Sequence, residues 1–248
     1  MIEQIAMLRR GLVFFVGGTG TGKSSTQASV IGYRNQHTRG HIITIEDPIE
    51  FVFTDNKSVI EQREVGLDSL SFAAGLKHVL RQDPDVIMIG EMRDATSFSA
   101  AMSAADTGHL VLSTLHTTNA AQSVTRILDF FKSEERDQIR RQLAGTLKAV
   151  VCQRMVGRIG GGVIPAIEVL INTGTVRKLI EENRLEKLGA AIETGGEDGM
   201  QNFNQSLLAL VKDRLVTEEE ALSKAANADA LKMNFQGIFL SEGKRILS

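Results

Sequence analysis

One cysteine, Cys152, is all the thiol chemistry that this 248-residue chain carries. That excludes a disulfide framework within one chain, and a structural zinc cage built mainly of thiolates. Neither sign of charge dominates, because 28 Lys+Arg stand against 30 Asp+Glu for a net charge of −2. There is thus no basic field built for nucleic acid, and no acidic tail. Proline is scarce, with only Pro48, Pro84 and Pro165. No window approaches the roughly 18 consecutive apolar residues of a membrane span. The opening residues MIEQIAMLRRG lack a long apolar segment ending in small residues, so no secretory signal is visible. With 42% hydrophobic and 23% charged residues, the composition is that of a globular chain and not a disordered one. Length allows one large domain or one domain with a small appendage. Together these counts predict a reduced, cytosolic, soluble α/β protein.

What the chain does have is a rhythm of short apolar runs and helical segments, punctuated by 23 glycines. The run Leu12–Val16 stops at a glycine-rich stretch and a helix-like segment follows from Lys23 to about Asn35. The β-branched run His41–Ile45 ends at Glu46-Asp47-Pro48. Residues 71–81 have helical spacing and stop at Asp83-Pro84. Val86–Ile89 reads as a fully apolar strand, 94–106 as a helix, and Leu110–Leu112 as the centre of another strand. Asn119 is placed to cap a helix to about Phe131, and Ser133 to start one running to about Val151. Gly160-Gly161-Gly162 reads as a tight turn into a strand Val163–Ile171. After Asn172 the pattern is helical, with Thr217 and Glu220 spaced as a capping box. The alternation predicts an α/β fold with a mostly parallel sheet covered on both faces.

Four blocks carry chemistry. Gly17-Gly18-Thr19-Gly20-Thr21-Gly22-Lys23-Ser24, with Ser25 behind it, matches the phosphate-cradling pattern G-x-x-x-x-G-K-[ST]. Glycines let successive N–H groups turn inward around phosphate oxygens, and the following helix points the positive end of its dipole at the same anion. Lys23 is then expected on the β/γ-phosphates and the Ser24 hydroxyl on Mg²⁺. The strand Val86–Ile89 followed by Gly90-Glu91 supplies a carboxylate of the kind that orients Mg²⁺ or its water; read alone, it could be a strand with a solvated turn. Glu46, Asp47 and Glu50 crowd the end of a strand, where open α/β sheets bind ligands. Of these, Asp47 before proline fits a turn acid, whereas Glu50, and less so Glu46, fit the activation of a water. Two of the five histidines, His109 and His116, bracket one strand, and their odd spacing puts them on opposite faces or ends. His116, at the strand's carboxyl end, is placed to sense a γ-phosphate, whereas His109 also fits a structural role. Neither has a metal-ligand partner at i+2 or i+4.

In order and spacing these blocks resemble the Walker A, Asp, Walker B and His boxes of the secretion ATPase superfamily. The sequence is most similar to the type IV pilus retraction ATPases of the PilT/PilU type, through residues 41–52 (HIITIEDPIEFV), 62–65 (QREV), 80–87 (LRQDPDVI), 90–94 (GEMRD) and 108–111 (GHLV). Residues 168–172 (EVLIN) and 199–203 (GMQNF) lean toward the PilU branch. Extension and type II secretion members typically carry a four-cysteine zinc insertion, which a single cysteine excludes. The resemblance implies a RecA-like P-loop domain over residues 1–172 and a helical C-terminal subdomain over 173–248. It implies ATP and Mg²⁺, with Lys23 and Ser24 on phosphate and metal, Glu91 on the metal, Glu50 on the water, and His109 and His116 in the His box. Arg81 and Arg126 match recurrent positions whose role (nucleotide, subunit contact or fold) is open.

The resemblance further implies a homo-oligomer, expected to be a hexamer, at the cytoplasmic face of a bacterial inner membrane. Its expected partners are the pilus platform protein and a paralogous retraction ATPase, without nucleic acid or zinc. Two departures stand out. Residues 175–182 keep only part of the Ala-Ile-Arg-Asn-Leu-Ile-Arg-like segment of retraction ATPases. Only 16 residues precede Gly17, so the family's N-terminal PAS-like domain, which supplies arginine fingers to a neighbouring subunit, is expected to be absent. Three readings follow: an ATP-hydrolysing motor for pilus retraction, an accessory nucleotide-binding subunit with little turnover, or a related secretion or DNA-transfer ATPase. The choice between ATP and GTP stays open, because a phosphate loop does not read the base.

Overall fold

A strand stays buried on both faces only if each of its two side-chain rows has its own apolar layer to enter. The run GLVFFV meets that condition as strand β1 (Gly11–Val16), in which all six residues are buried. Leu12, Phe14 and Val16 enter one apolar cluster, and Val13 and Phe15 enter another on the opposite face. The computed structural model describes residues 1–239. Before β1 lies a short helix α1 (Ile2–Ala6), and after it the long helix α2 (Lys23–His37). Strands β2 (Gly40–Glu46) and β3 (Ser58–Glu64) follow, then helix α3 (Phe72–Val79) and strand β4 (Val86–Ile89). Next come α4 (Ala95–Asp106), β5 (Leu110–Leu115), α5 (Ala120–Asp129), α6 (Arg136–Thr146), and the strands β6 (Leu147–Gly157) and β7 (Val163–Ile171).

These seven strands make one sheet in the order β3-β2-β4-β5-β1-β6-β7. Every pairing is parallel except the β6–β7 hairpin, so the mostly parallel α/β sheet expected from the alternating pattern is what the chain forms. Ile5, Val30 and Ile31 of α1 and α2 cover one face. The other face is covered by α3 to α6 and by the helices that follow β7: α7 (Gly174–Glu181), α8 (Leu188–Thr194), α9 (Phe203–Lys212), α10 (Glu218–Lys224) and α11 (Ala228–Phe235). The chain after β7 is thus helical, and Val176, Leu179, Phe203 and Leu207 pack into the same apolar layer as Phe14 and Phe98. No helix among the described residues is long and apolar enough to cross a membrane.

The helix starts have visible causes. Ser71, Asp94, Asn119, Thr173, Asn202, Thr217 and Asn227 each accept a hydrogen bond from the backbone N–H three residues on. Asn119 caps α5 as its position suggested. At Thr217 only half of the expected capping box forms, because the Glu220 carboxylate turns away to accept from Gly157 N at 2.8 Å. The complete box is at α9, between Asn202 and Gln205.

The expected helix from Ser133 to Val151 is a helix for only half its length. Glu135, not Ser133, stands at the start of α6, which ends at Thr146; residues 147–157 are strand β6. Val150 and Cys152 enter one apolar layer while Ala149 and Val151 enter the other, as β1 does beside them. A short apolar run has no period that separates strand from helix, and the vacant edge of β1 decided it. Two further elements carried too weak a pattern to be anticipated: α1, with five residues, and β3, whose burial is only partial.

Phe98 links α4 to the sheet and to the end of α5, with ring centroids 6.1 Å from Phe14 and 5.0 Å from Phe130. Phe98→Ala is expected to cost about 3–5 kcal/mol, read as a lower midpoint in urea unfolding.

Candidate functional site

The loop after β1 is shaped by backbone conformations that side chains resist. Gly17, Gly20 and Gly22 have φ of +154°, +75° and +82°. A Cβ at Gly17 would also lie 2.6 Å from the Gln153 carbonyl oxygen of β6. The loop therefore runs against β6 on one side and opens to solvent at Gly18, Thr19 and Gly20. Gly22 leads directly into α2, whose first residue is Lys23. The Lys23 ammonium curls back to donate to the carbonyls of Gly17 at 2.9 Å and Gly18 at 2.8 Å. Burial lowers its pKa, while the nearby Glu91 and Glu50 carboxylates push it back up. Thr21 Oγ1 donates to Gly18 O, tightening the same turn. The loop can cradle an anion of phosphate type, with a helix N-terminus and an ammonium converging on it.

A cleft of about 270 Å³ opens where β1, β2, β4 and β5 end. Thr19, Gly20, Lys23, Ser24, Glu46, Glu50, Glu91 and His116 all line it, so four separate stretches of sequence meet there. Ser25, on the exposed side of α2, does not. Nor does His109, which lies just before β5 with Nδ1 2.9 Å from Ala104 O and 3.3 Å from Thr107 Oγ1. The seven-residue spacing thus resolves into opposite ends of one strand. Glu46 reaches the cleft but is already engaged, accepting from Thr44 Oγ1 at 2.7 Å and Gln62 Nε2 at 3.1 Å. Glu50 is exposed on the loop beyond it.

The β2–β3 loop that carries Glu50 is held from strand β3. Gln62 Oε1 accepts from Phe53 N at 2.9 Å, its Nε2 donates to Phe51 O at 2.8 Å, and Glu64 Oε2 accepts from Ile49 N at 3.0 Å. Residues 49, 51 and 53 thus hang on two side chains. The signal was in the sequence, since Gln62-Arg63-Glu64-Val65 is one of the stretches that carry the resemblance, but nothing local says what it holds. On the other side, Glu91 pairs with the Arg93 guanidinium, and its Oε2 lies 3.5 Å from His116 Nε2. Hydrogen bonding to Glu91 holds the Arg93 pKa above its usual value. The turn is fixed where Met92 is buried and Asp94 caps α4 through Ser97 N and Oγ. Glu91, Arg93 and His116 form a wall between this cleft and a second hollow of about 300 Å³ lined by Arg126 and Phe130. Arg126 sits 4.9 Å over the Phe130 ring, and Arg81 is exposed just past α3. Sequence reasoning did not find Arg93, Gln62, Glu64 or the aromatic side of the cleft made by Phe51, Phe53 and Phe72.

Behind the cleft, Glu168 of β7 accepts from Ala120 N, the first residue of α5, at 2.9 Å. Burial pushes this carboxyl above its ordinary 4.5, against the pull of Ala120 N, Arg154 and Cys152. Burial also pushes the Cys152 thiol well up, so it is inert as a nucleophile. Among the described residues no group of three or more His, Cys, Asp or Glu could hold a metal by itself.

Residues 1–161 match the family described as type II/IV secretion system protein. The type IV pilus retraction ATPase PilT of Pseudomonas aeruginosa is 44% identical over 91% of this chain and 65% of its own. PilU of the same organism, a type IV pilus ATPase, is 44% identical over 94% and 61%. A crystal structure of the pilus retraction motor PilT with bound ADP superposes with a TM-score of 0.86 at 43% identity, over 93% of this chain and 66% of that one. The Legionella pneumophila ATPase DotB gives 0.79 at 28% identity, over 95% and 63%. The sheet and its flanking helices are thus the RecA-like arrangement of these ATPases. The chain spans a little under two thirds of the length of these relatives.

Two outcomes follow from the supports. Gln62→Ala should loosen residues 47–53, seen as faster amide exchange at Phe53 and earlier protease cleavage in that loop. For Glu168, the folded state keeps the proton to higher pH than the unfolded state does, so stability is highest below pH 4.5 and falls as pH rises through the raised value. The melting temperature of the wild type relative to Glu168→Gln should therefore decline as the pH is raised from 4.5, in thermal melts across a pH series.

Proposed function

The chain belongs to the type II/IV secretion system protein family, and on that premise we propose that it is the ATP-hydrolysing core of a type IV pilus retraction motor. The observation that carries this reading is the convergence of the Lys23–Ser24 cradle with Glu46, Glu50, Glu91 and His116 in one cleft. One relative named as a pilus retraction ATPase and one named as a type IV pilus ATPase, each matched over nine tenths of the chain, support the biological setting.

The electrostatics explain what each group is for. Four acids, Glu46, Asp47, Glu50 and Glu91, line a cleft that is to receive a polyphosphate. Lys23 leaves the Gly17 and Gly18 carbonyls for the β/γ-phosphate oxygens, where its charge counts for more in a partly buried site. Ser24 and Glu91 form an all-oxygen donor pair that suits Mg²⁺, and they would hold it. When bound, Mg²⁺ neutralises charge on the phosphate oxygens. Glu50 orients the attacking water and takes its proton as the water oxygen bonds to the γ-phosphorus. The bond from that phosphorus to the β–γ bridging oxygen breaks, leaving ADP and inorganic phosphate. Glu46 acts at one remove, holding Gln62 and through it the Glu50 loop. His116, beside Glu91, senses whether the γ-phosphate is present. The proposal takes residues 1–172 as the nucleotide-binding core and the chain from 173 as a helical unit; the expected bound of 248 lies outside the described residues. It places the chain in a homo-oligomeric ring, a hexamer, on the platform protein at the cytoplasmic face of the inner membrane, with a paralogous ATPase as a further partner.

Lys23→Ala should abolish nucleotide binding in isothermal titration, and with it phosphate release. Glu50→Gln should bind ADP as the wild type does and slow turnover by about 10²–10⁴. Equal, slow phosphate release by wild type and Lys23→Ala would make the chain an accessory nucleotide-binding subunit and not a motor.

A further inference from the structure

The segment 116–119 between β5 and α5 has His116 at its front and is held from behind by residues of β6 and β7. Asn119 caps α5, Thr117 Oγ1 lies 2.6 Å from Ser123 Oγ, and Glu168 fixes Ala120 N. The remaining anchor is of a different kind. Arg154 of β6 donates from Nη2 to Thr118 O at 3.3 Å and from Nη1 to Lys224 O at 3.1 Å. Its guanidinium also lies 3.9 Å over the ring of Phe203. Lys224 is the last residue of α10, and Phe203, fully buried, is the first of α9. One planar group therefore joins the segment behind His116 to the start of one C-terminal helix and the end of another. A guanidinium suits this task because its fork donates in two directions while its face stacks on a ring; an ammonium does not hold all three contacts at once.

We propose that Arg154 is a positioning residue that transmits occupancy of the His116 side of the cleft to α9 and α10. His116 contacts the Glu91 wall, and only Thr117 separates it from the carbonyl that Arg154 holds. A shift of the 116–119 segment on ligand binding displaces that carbonyl. Glu168 pins the helix end of the segment, so the displacement is passed to the guanidinium and not absorbed by α5. Phe203 and the Lys224 carbonyl receive it, each at a helix terminus, where small movements are least opposed by the helix's own hydrogen bonds. The inference rests on the reading of the cleft as a nucleotide site and adds to it how the C-terminal helices learn its state.

The test is hydrogen–deuterium exchange of the full chain with and without ADP and Mg²⁺, with ADP affinity measured separately by isothermal titration. In the wild type, ADP should slow exchange across 116–124 and also, by roughly fivefold or more, across 203–224, the lower end of usual allosteric couplings. In Arg154→Gln the response of 116–124 should persist while that of 203–224 falls below about twofold. Arg154→Lys should resemble Arg154→Gln. Phe203→Leu keeps an apolar side chain under the guanidinium, so it serves where the Arg154 variants do not fold, and its response should be intermediate. A full response across 203–224 in these variants, or none in an ADP-bound wild type, overturns the inference alone. A wild type that does not bind ADP overturns the nucleotide reading, and this inference with it.

Discussion

Burial of β1 on both faces is the constraint from which the rest of the molecule follows. Phe14 and Phe15 point in opposite directions from adjacent residues, and each is fully buried, so an apolar layer is needed above and below the strand. That requirement puts α1 and α2 on one side and the α4-to-α6 group, with the C-terminal helices, on the other. It also puts β5 and β6 at the two edges of β1. With β1 fixed in mid-sheet, its carboxyl end can only be the floor of a crevice, and the glycine loop begins there. The neighbouring parallel strands end at the same level, which brings Glu46, Glu91 and His116 to one place from positions far apart in the chain.

The cleft is built of charged groups of both signs that are paired with neighbours in the fold. Lys23 is satisfied by the carbonyls of its own loop, and Glu91 by Arg93 with His116 near by. Arg93 is paired with Glu91, and the Glu91 and Glu50 carboxylates act on the Lys23 ammonium through charge. These contacts tie the glycine loop, the start of α2 and the Glu91 turn into one cleft. Leaving either charge unpaired in a partly buried cleft would be far more costly.

Support for the site comes from elements with no chemistry of their own. Strand β3 is half-exposed at the sheet edge, yet its Gln62 and Glu64 fix three backbone N–H or C=O groups of the Glu50 loop. On the other side, β6 and β7 carry Arg154 and Glu168, which hold the segment after His116. Both arms reach the cleft through main-chain groups, which a change of side chain at the loop itself would leave in place.

The sequence by itself marked the candidate site residues and determined much of the frame. The glycine loop with Lys23 and Ser24 was legible because its residue types and spacing have few other uses. Glu50, Glu91 and His116 stood out only beside that loop and the family resemblance. The strands at 12–16, 41–45 and 86–89 were legible because each is a short run rich in apolar or β-branched residues. Caps such as Asn119 were legible because they act over three residues. The tertiary structure alone decided that 147–157 is a strand, since its short apolar run fits a helix equally well until the open edge of β1 pairs with it. It alone put His109 at the far end of β5 from the cleft, engaged Glu46 with Thr44 and Gln62, and brought Arg93, Gln62 and Arg154 into the account. Those roles depend on contacts between residues up to 70 positions apart, as between Arg154 and Lys224. Spacing along a chain reports such contacts only once the sheet has set the distance between its strands.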